Sequence, residues 1–245
     1  MNVTIWNENI DETNQVEKVL EVHPHGIHNT VKDIIAELGD DVHITTATLQ
    51  EEQIGLPDEV LNQTDVLIWW SHKGHDQVPD EIVAKIHHRV LAGMGLILLH
   101  SSHYSKLLKT ILGTTGDLQW RDDTYERIFC VNPTHPIAQG IPENFELGVE
   151  ECYTEYFDIP KPDDVIFLGW FDIGNVFRSG CTWTRGYGKI FYFQPGHETN
   201  RSFFHPHVRQ IIKNGCKWVC PTAYKENFGA PHIDVTLEEI RKANQ

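Results

Sequence analysis

Three short stretches of the chain place titratable side chains directly after apolar, strand-like runs. Val66–Trp70 leads into Ser71, His72, Lys73, Gly74 and His75. Leu96–Leu99 leads into His100, Ser101, Ser102 and His103, and Ile190–Phe193 into Gln194, Pro195, Gly196, His197 and Glu198. Imidazole moves protons near neutral pH and binds transition metals through a neutral ring nitrogen. Ligands of open α/β sheets bind beyond the carboxyl ends of the strands. Three strand ends that carry histidine therefore predict one shared crevice.

Each stretch admits a chemical and a plain reading. Around His100, strand, tight turn and helix succeed one another as in a nucleophile elbow, which exposes a side chain against the positive end of the next helix. Ser101 then attacks with a nearby histidine as base, or Ser101 and Ser102 cap the helix that follows. His100 itself ends the strand and points into crevice or core. His72 and His75, three apart in a loop, can reach one metal ion, although His-x-x-His also occurs without one. Trp69 reads as core, whereas Trp70 at the crevice edge can stack on a sugar ring. His197 followed by Glu198 offers a base with a carboxylate that orients it or shuttles its proton; otherwise His197 packs and Glu198 caps.

A further patch, Glu150, Glu151, Cys152, Tyr153, Thr154, Glu155 and Tyr156, holds three carboxylates and two tyrosines. It suits a hydroxyl-rich ligand, or general acid work if one carboxyl is buried; a solvated loop is the plain reading. Of the remaining histidines His28, at the start of the first helix, is the best additional ligand, ahead of His23, His25, His205 and His207. Glu126 and Arg127 read as a local ion pair.

The elements that must position these groups follow from periodicity. Val3–Trp6, Val42–Ala47, Val66–Trp70 and Leu96–Leu99 read as strands, the third nearly all apolar as a strand covered on both faces should be. Between them, Val31, Ile34, Ile35 and Leu38 mark one helix face, stopped by Gly39. Ile82, Val83, Ile86 and Val90 mark another after Pro79, and Leu107, Leu108, Ile111 and Leu112 a third before Gly113. The alternation predicts βαβ units around a parallel sheet. From about residue 114 strands dominate, at Ile128–Val131, Val165–Leu168, Val176–Phe177 and Lys189–Phe193. A last helix near residues 206–220 follows. Without repeat or linker the chain reads as one domain, 1–245, with 221–245 a charged C-terminal arm.

Composition limits the partners. Twenty basic against 35 acidic residues give a net charge of −15, which opposes nucleic acid and anionic membrane. A neutral ligand such as a sugar, or a cation, fits better. The N-terminus lacks the basic and apolar regions of a signal peptide, and no apolar run is long enough to span a bilayer. Five cysteines, odd in number and without a CxxC pair, read as reduced thiols in a cytoplasmic protein. No G-x-G-x-x-G or Walker motif supports a nucleotide cofactor.

Together, Trp69-Trp70-Ser71-His72 with His75, Leu99-His100-Ser101-Ser102-His103, Asn132-Pro133-Thr134-His135-Pro136-Ile137, Phe177-Arg178-Ser179-Gly180-Cys181 and Phe193-Gln194-Pro195-Gly196-His197-Glu198-Thr199 resemble the trehalose-utilisation (ThuA-like) family. The resemblance runs in order over roughly residues 1–220. It implies a flavodoxin-like three-layer α/β sandwich with a mostly parallel central sheet, the class I glutamine-amidotransferase-like variant. It also implies a role in the bacterial use of trehalose and related disaccharides, alongside sugar oxidation to 3-keto forms. One departure matters: amidotransferases carry a cysteine at the elbow, and His100-Ser101 stands here, so thiol-based glutamine hydrolysis lacks its nucleophile.

The expectation is thus a sugar-processing enzyme acting on a disaccharide or its 3-keto derivative. His28, His72, His100 and His197 would hold a divalent metal, zinc for imidazole ligands. His100, Ser101, His197, Glu198, Glu151 and Glu155 would move protons, and Trp70, His75, His103 and Tyr153 would contact the sugar. The alternative is a sugar-binding or assembly protein that kept the fold without the chemistry. A homo-oligomer is expected from the tail and the tryptophan-rich surface.

Overall fold

The computed structural model describes residues 1–225 and 227–245. Nine strands form one sheet: β1 (Asn2–Asn7), β2 (His43–Thr48), β3 (Val66–Trp70), β4 (Gly95–Leu99), β5 (Gln119–Cys130), β6 (Asn144–Thr154), β7 (Asp164–Phe171), β8 (Val176–Arg185) and β9 (Gly188–Phe193). The helices are α1 (Ile10–Thr13), α2 (Glu17–Val22), α3 (Ile27–Ala36), α4 (Asp58–Gln63), α5 (Asp80–Ala92), α6 (Lys106–Leu112), α7 (Pro206–Val219) and α8 (Leu237–Ala243).

The strand order is β2-β1-β3-β4-β9-β8-β7-β5-β6. Its first five strands are mutually parallel and follow the flavodoxin-like order of a doubly wound sheet. The rest of the sheet is antiparallel, so a mostly parallel sheet is corrected to a mixed one. The reason is connection type. Strands after residue 114 are joined by turns and short loops rather than helices, and such connections return the chain antiparallel. β9 is the seam, parallel to β4 and antiparallel to β8.

Alternation along the buried strands feeds two apolar layers. Trp6, Leu67, Trp69, Leu96 and Leu98 face α5 and α6 through Ile82, Ile86, Val90, Leu107 and Leu108. Val3, Ile5, Val66, Ile68, Ile97 and Leu99 face α3 and α7 through Val31, Ile34, Ile35, Val208, Ile211 and Ile212. Trp6 and Trp69 stack with ring centroids 3.7 Å apart, so Trp69 is core, as its strand position implies. Among the described residues no helix is long and apolar enough to cross a membrane, and the five cysteines are unbonded.

The tail begins against the body: Tyr224 donates its hydroxyl to Asp65 (2.8 Å) and the Lys225 amide to the Ala92 carbonyl (2.7 Å). Beyond it, α8 is exposed throughout and starts with a reciprocal cap between Thr236 and Glu239.

Candidate active site

The predicted convergence is present. A cavity of about 670 Å³ opens beyond the parallel strand ends, lined by His72, His75, Ser101, His103, Glu151, Tyr153, His197 and Glu198 among others. That volume is ordinary for a small-molecule site.

Each group is held by a backbone that the sequence makes unusual. His100 closes β4 with φ +50°, the left-handed conformation that costs most residues about 1 kcal/mol or more. The strained elbow position is therefore His100, one residue before Ser101, the attacking group of the nucleophilic reading. The Tyr192 hydroxyl donates to the His100 carbonyl at 3.1 Å, and His100 Nδ1 lies 2.8 Å from the Gln194 carbonyl. An Nδ1–H donated there turns Nε2 toward Glu151 and the Tyr153 hydroxyl. Ser101 contacts the Tyr153 hydroxyl at 2.9 Å. Its hydroxyl has no imidazole partner among the described residues, so the elbow serine lacks a base. Nor do Ser101 and Ser102 cap the helix. Ser105 does, accepting from the Leu108 amide.

The loop after β3 is shaped by Glu8, at the end of β1. Its carboxylate accepts the amides of His72 (2.7 Å), Lys73 (2.8 Å) and Gly74 (2.8 Å). Those bonds fix His72 with Nδ1 3.0 Å from Glu198. The loop after β9 is shaped by Glu150, which accepts from the amides of Gly196 (3.0 Å) and His197 (3.3 Å), from Asn200 (3.0 Å) and from Ser202. Gly196 is required there: its φ is +135°, and a Cβ would lie 2.5 Å from the Phe203 ring.

The 150–156 patch is not a loop. Most of it is the end of β6, where period-two alternation puts Glu151 and Tyr153 on one face. Glu151 Oε2 lies 3.0 Å from His100 Nε2, and the Tyr153 hydroxyl 3.3 Å from the same nitrogen. The His100 and Tyr153 rings stack at 5.1 Å. Neither the His100–Glu151 contact nor the His72–Glu198 contact is aligned as a hydrogen bond, and among the described residues Glu151 Oε2, His72 Nδ1 and Glu198 Oε2 are buried without a hydrogen-bond partner.

Electrostatics separate the histidines. Burial presses the His100 pKa down, but Glu151 and Glu150 outweigh it and lift it to about 9. Burial pushes Glu198 up, yet His72 and His197 hold its carboxyl at about 2. Burial alone dominates His103, lowered to about 3, and His75, lowered to about 4. The site thus offers the buried His100–Glu151 ion pair beside the neutral imidazoles of His75 and His103.

Four predicted site residues lie outside the cavity lining. One is His100, fully buried behind Glu151 and Tyr153, which do line it. Trp70 is buried, with its indole N–H donated to the Gly196 carbonyl at 3.0 Å, because its strand position points it at the α3–α7 layer. His28 sits beside Asn7, 3.2 Å from its amide. Glu155 is committed to Arg178, two contacts of 2.8 Å. Glu126 and Arg127 do not pair, since neighbours on a strand face opposite sides. Arg127 pairs with Glu146, while Glu126 is buried with neither oxygen partnered among the described residues, and burial together with Glu150 raises its pKa well above the usual carboxylate range. Overlooked lining residues are Tyr104, Asp117, Trp120, Asp122, Asp123 and Asn200. The signal was available in Trp120-Arg121-Asp122-Asp123, an acidic–aromatic cluster like the one at 150–156.

These buried imidazoles set an acid limit on stability. His23, fully buried, is lowered by burial to about 4, alongside His75 and His103. The unfolded chain protonates them near 6.5, and the folded chain only near 4 or below. Between those values the unfolded state binds more protons, so stability falls as pH falls. His100 has the opposite sign: its contribution is complete below 6.5 and is lost as pH rises through 9. The melting temperature is therefore expected to decline steadily from pH 6.5 to 4.5 in a calorimetric series; a flat or rising profile contradicts this assignment.

A family model described as trehalose utilisation (ThuA) matches residues 2–219, and no curated protein sequence matches the chain. Among solved structures, the fold is similar to a ThuA-like protein from Parabacteroides merdae (TM-score 0.67, 15% identity, 92% of this chain and 91% of that one). It is similar to a cytoplasmic protein from Salmonella typhimurium (0.59, 14%, 79% and 87%). A β-galactosidase from Bacillus circulans shares it over 89% of this chain and 31% of its own (0.52, 11%). At these identities the likeness concerns the fold alone.

Proposed function

Since the chain belongs to the trehalose-utilisation (ThuA) family, we propose that it is a cytoplasmic enzyme of disaccharide use whose crevice moves a proton next to the carbonyl of a keto-disaccharide. The observation that carries this reading is the buried His100–Glu151 pair, 3.0 Å apart, with Glu151 lining the cavity. Proton transfer at a carbon beside a carbonyl needs a base within reach and a donor for the oxygen that gains charge. Glu151 serves as the base. His100, charged through Glu151, and the Tyr153 hydroxyl serve as the donors. His72, Glu198 and His197 form the adjoining wall, with His197 Nε2 3.7 Å from Glu198.

The same atoms suit a divalent metal ion. His100, Glu151 and His197 offer donor atoms within 4.8 Å of one another, and the unpartnered Glu151 Oε2 is what a cation would satisfy. A bound zinc or similar ion would need His100 neutral at Nε2 and would replace the imidazolium as the group that polarises the carbonyl oxygen. A second set, Asp11, His72 and Glu198, is already served at Asp11 by the Lys73 ammonium at 2.8 Å. His28 takes no part in either set.

The test combines elemental mass spectrometry of untagged protein with NMR of a 3-keto-disaccharide in deuterated water. The expected result is deuterium beside the carbonyl, with one transition ion per chain that His100→Ala lacks. Keto-disaccharide recovered unlabelled and unchanged, from metal-loaded and metal-free protein alike, overturns the reading. The binding-protein alternative then gains if calorimetry still detects the sugar.

A further inference from the structure

One large exposed ring stands at the cavity that the proposed chemistry does not use. Trp120, at the start of β5, is 64% exposed and lines the cavity. Tyr104 also lines it, but the Lys109 ammonium lies over that ring, 3.2 Å from its centre. Exposing an indole to water is unfavourable unless something covers it.

Its place is set by register. In the antiparallel β5–β6 pair Trp120 stands directly opposite Tyr153, and directly opposed residues share a face with Cβ atoms about 4.5–5.5 Å apart. Tyr153 touches His100 and Ser101, so Trp120 lies one side chain out from the His100–Glu151 pair. The ladder then breaks: the β5–β6 register shifts between Arg121 and Thr124, and Asp123 has φ +56°. Successive strand residues normally face opposite sides, yet Asp122 and Asp123 both line the cavity. A bulge re-aims side chains in this way. Asp122 lies 4.0 Å from His197 Nε2, which ties this lip to the reacting end. Asn200 lines the same cavity.

An aromatic face flanked by carboxylates and an amide is the chemistry that holds a pyranose: its C–H face covers the indole, and its hydroxyls donate to the carboxylates. We infer that Trp120, with Asp122 and Asp123, forms the subsite for the second, non-reacting ring of a disaccharide and selects two-ring over one-ring ligands. The inference rests on the sugar-processing reading of the crevice and adds a specificity determinant to it.

The experiment is calorimetric titration of wild type and Trp120→Ala with trehalose and glucose and with their 3-keto derivatives. Trp120→Phe serves as the conservative control, and a melting curve is taken for each variant. Wild type is expected to prefer the better-bound disaccharide to its one-ring counterpart by about tenfold or more, the effect of one stacked ring. Trp120→Ala should bring the two within about twofold, by weakening the disaccharide alone, and Trp120→Phe should restore most of the preference. Unchanged disaccharide affinity in Trp120→Ala, or an equal loss for one-ring and two-ring ligands, overturns the subsite and leaves the His100–Glu151 reading intact. No binding of any of the four sugars by wild type overturns both.

Discussion

Replacing His100 by alanine is expected to cut turnover of a keto-disaccharide by at least about a thousandfold, the scale of losing a positioned acid–base group together with its charge. The side chain is fully buried, so the effect must be separated from folding. Alanine at φ +50° is strained, whereas asparagine tolerates that conformation. His100→Asn is therefore the variant to compare: near-native melting temperature with activity as low as His100→Ala. Glu151→Gln keeps the shape of the partner and removes its charge, and should lose a similar factor. Because the two groups act as one unit, the double variant should be little worse than either single one. Additive losses in steady-state kinetics would mean that His100 and Glu151 act separately, and wild-type turnover in His100→Asn would remove the imidazole from the mechanism.

Glu150→Ala is expected to be the most damaging substitution for stability. The carboxylate is buried and gathers two backbone amides, the Asn200 side chain and the Ser202 hydroxyl from the loop after β9. It also accepts the amide of Glu151 at 2.9 Å. Removing it leaves these donors without a partner at about 1–3 kcal/mol for each one that water cannot reach. A total of about 4 kcal/mol lowers the melting temperature of a chain this size by about 10 °C. Glu150→Gln, which retains one acceptor oxygen, should fall between wild type and alanine. A melting temperature within a degree or two of wild type in Glu150→Ala would show that the loop after β9 is held by other contacts.

The site was legible where chemistry follows a strand. His72, His100, His197 and Glu198 were found because an apolar run ending in an imidazole states both the strand and its crevice end. The helices were legible for the same reason: the faces built on Ile34, Ile86, Leu108 and Ile211 have the period of a helix and nothing else. The antiparallel half was harder. β6 carries Glu146, Glu150, Glu151 and Glu155 in or beside it, and so many charges read as a solvated loop. The contradiction disappears only in three dimensions, where Glu151 finds His100, Glu150 finds the loop after β9 and Glu155 finds Arg178. Trp70 was misplaced because the facing of a strand covered on both sides cannot be told from a continuous apolar run. The turn after β4 was legible, but which of its residues is strained was not, since a positive φ at His100 has no marker in the sequence as glycine would provide.

The seam at β9 has a consequence for how this protein is made. β4 pairs with β9 through Leu96 and Ile190, so four parallel strands and their helices leave the ribosome with one central edge open. By that register the paired residues are 94 apart (190 − 96), and α6 and strands β5 to β8 must follow before the edge is closed. Long-range pairings of this kind form slowly, and an open apolar edge invites pairing with a neighbouring chain in the meantime. His72, His75, His100 and His103 are synthesised early, while Glu151, Tyr153 and His197 arrive with the later half. A chain halted before Gly188 would carry most of the imidazoles but lack the wall of the cavity formed by His197, Glu198, Thr199 and Asn200. Assembly of the crevice is therefore a late event of folding, and nascent chains are most in need of protection over the stretch between α6 and β9.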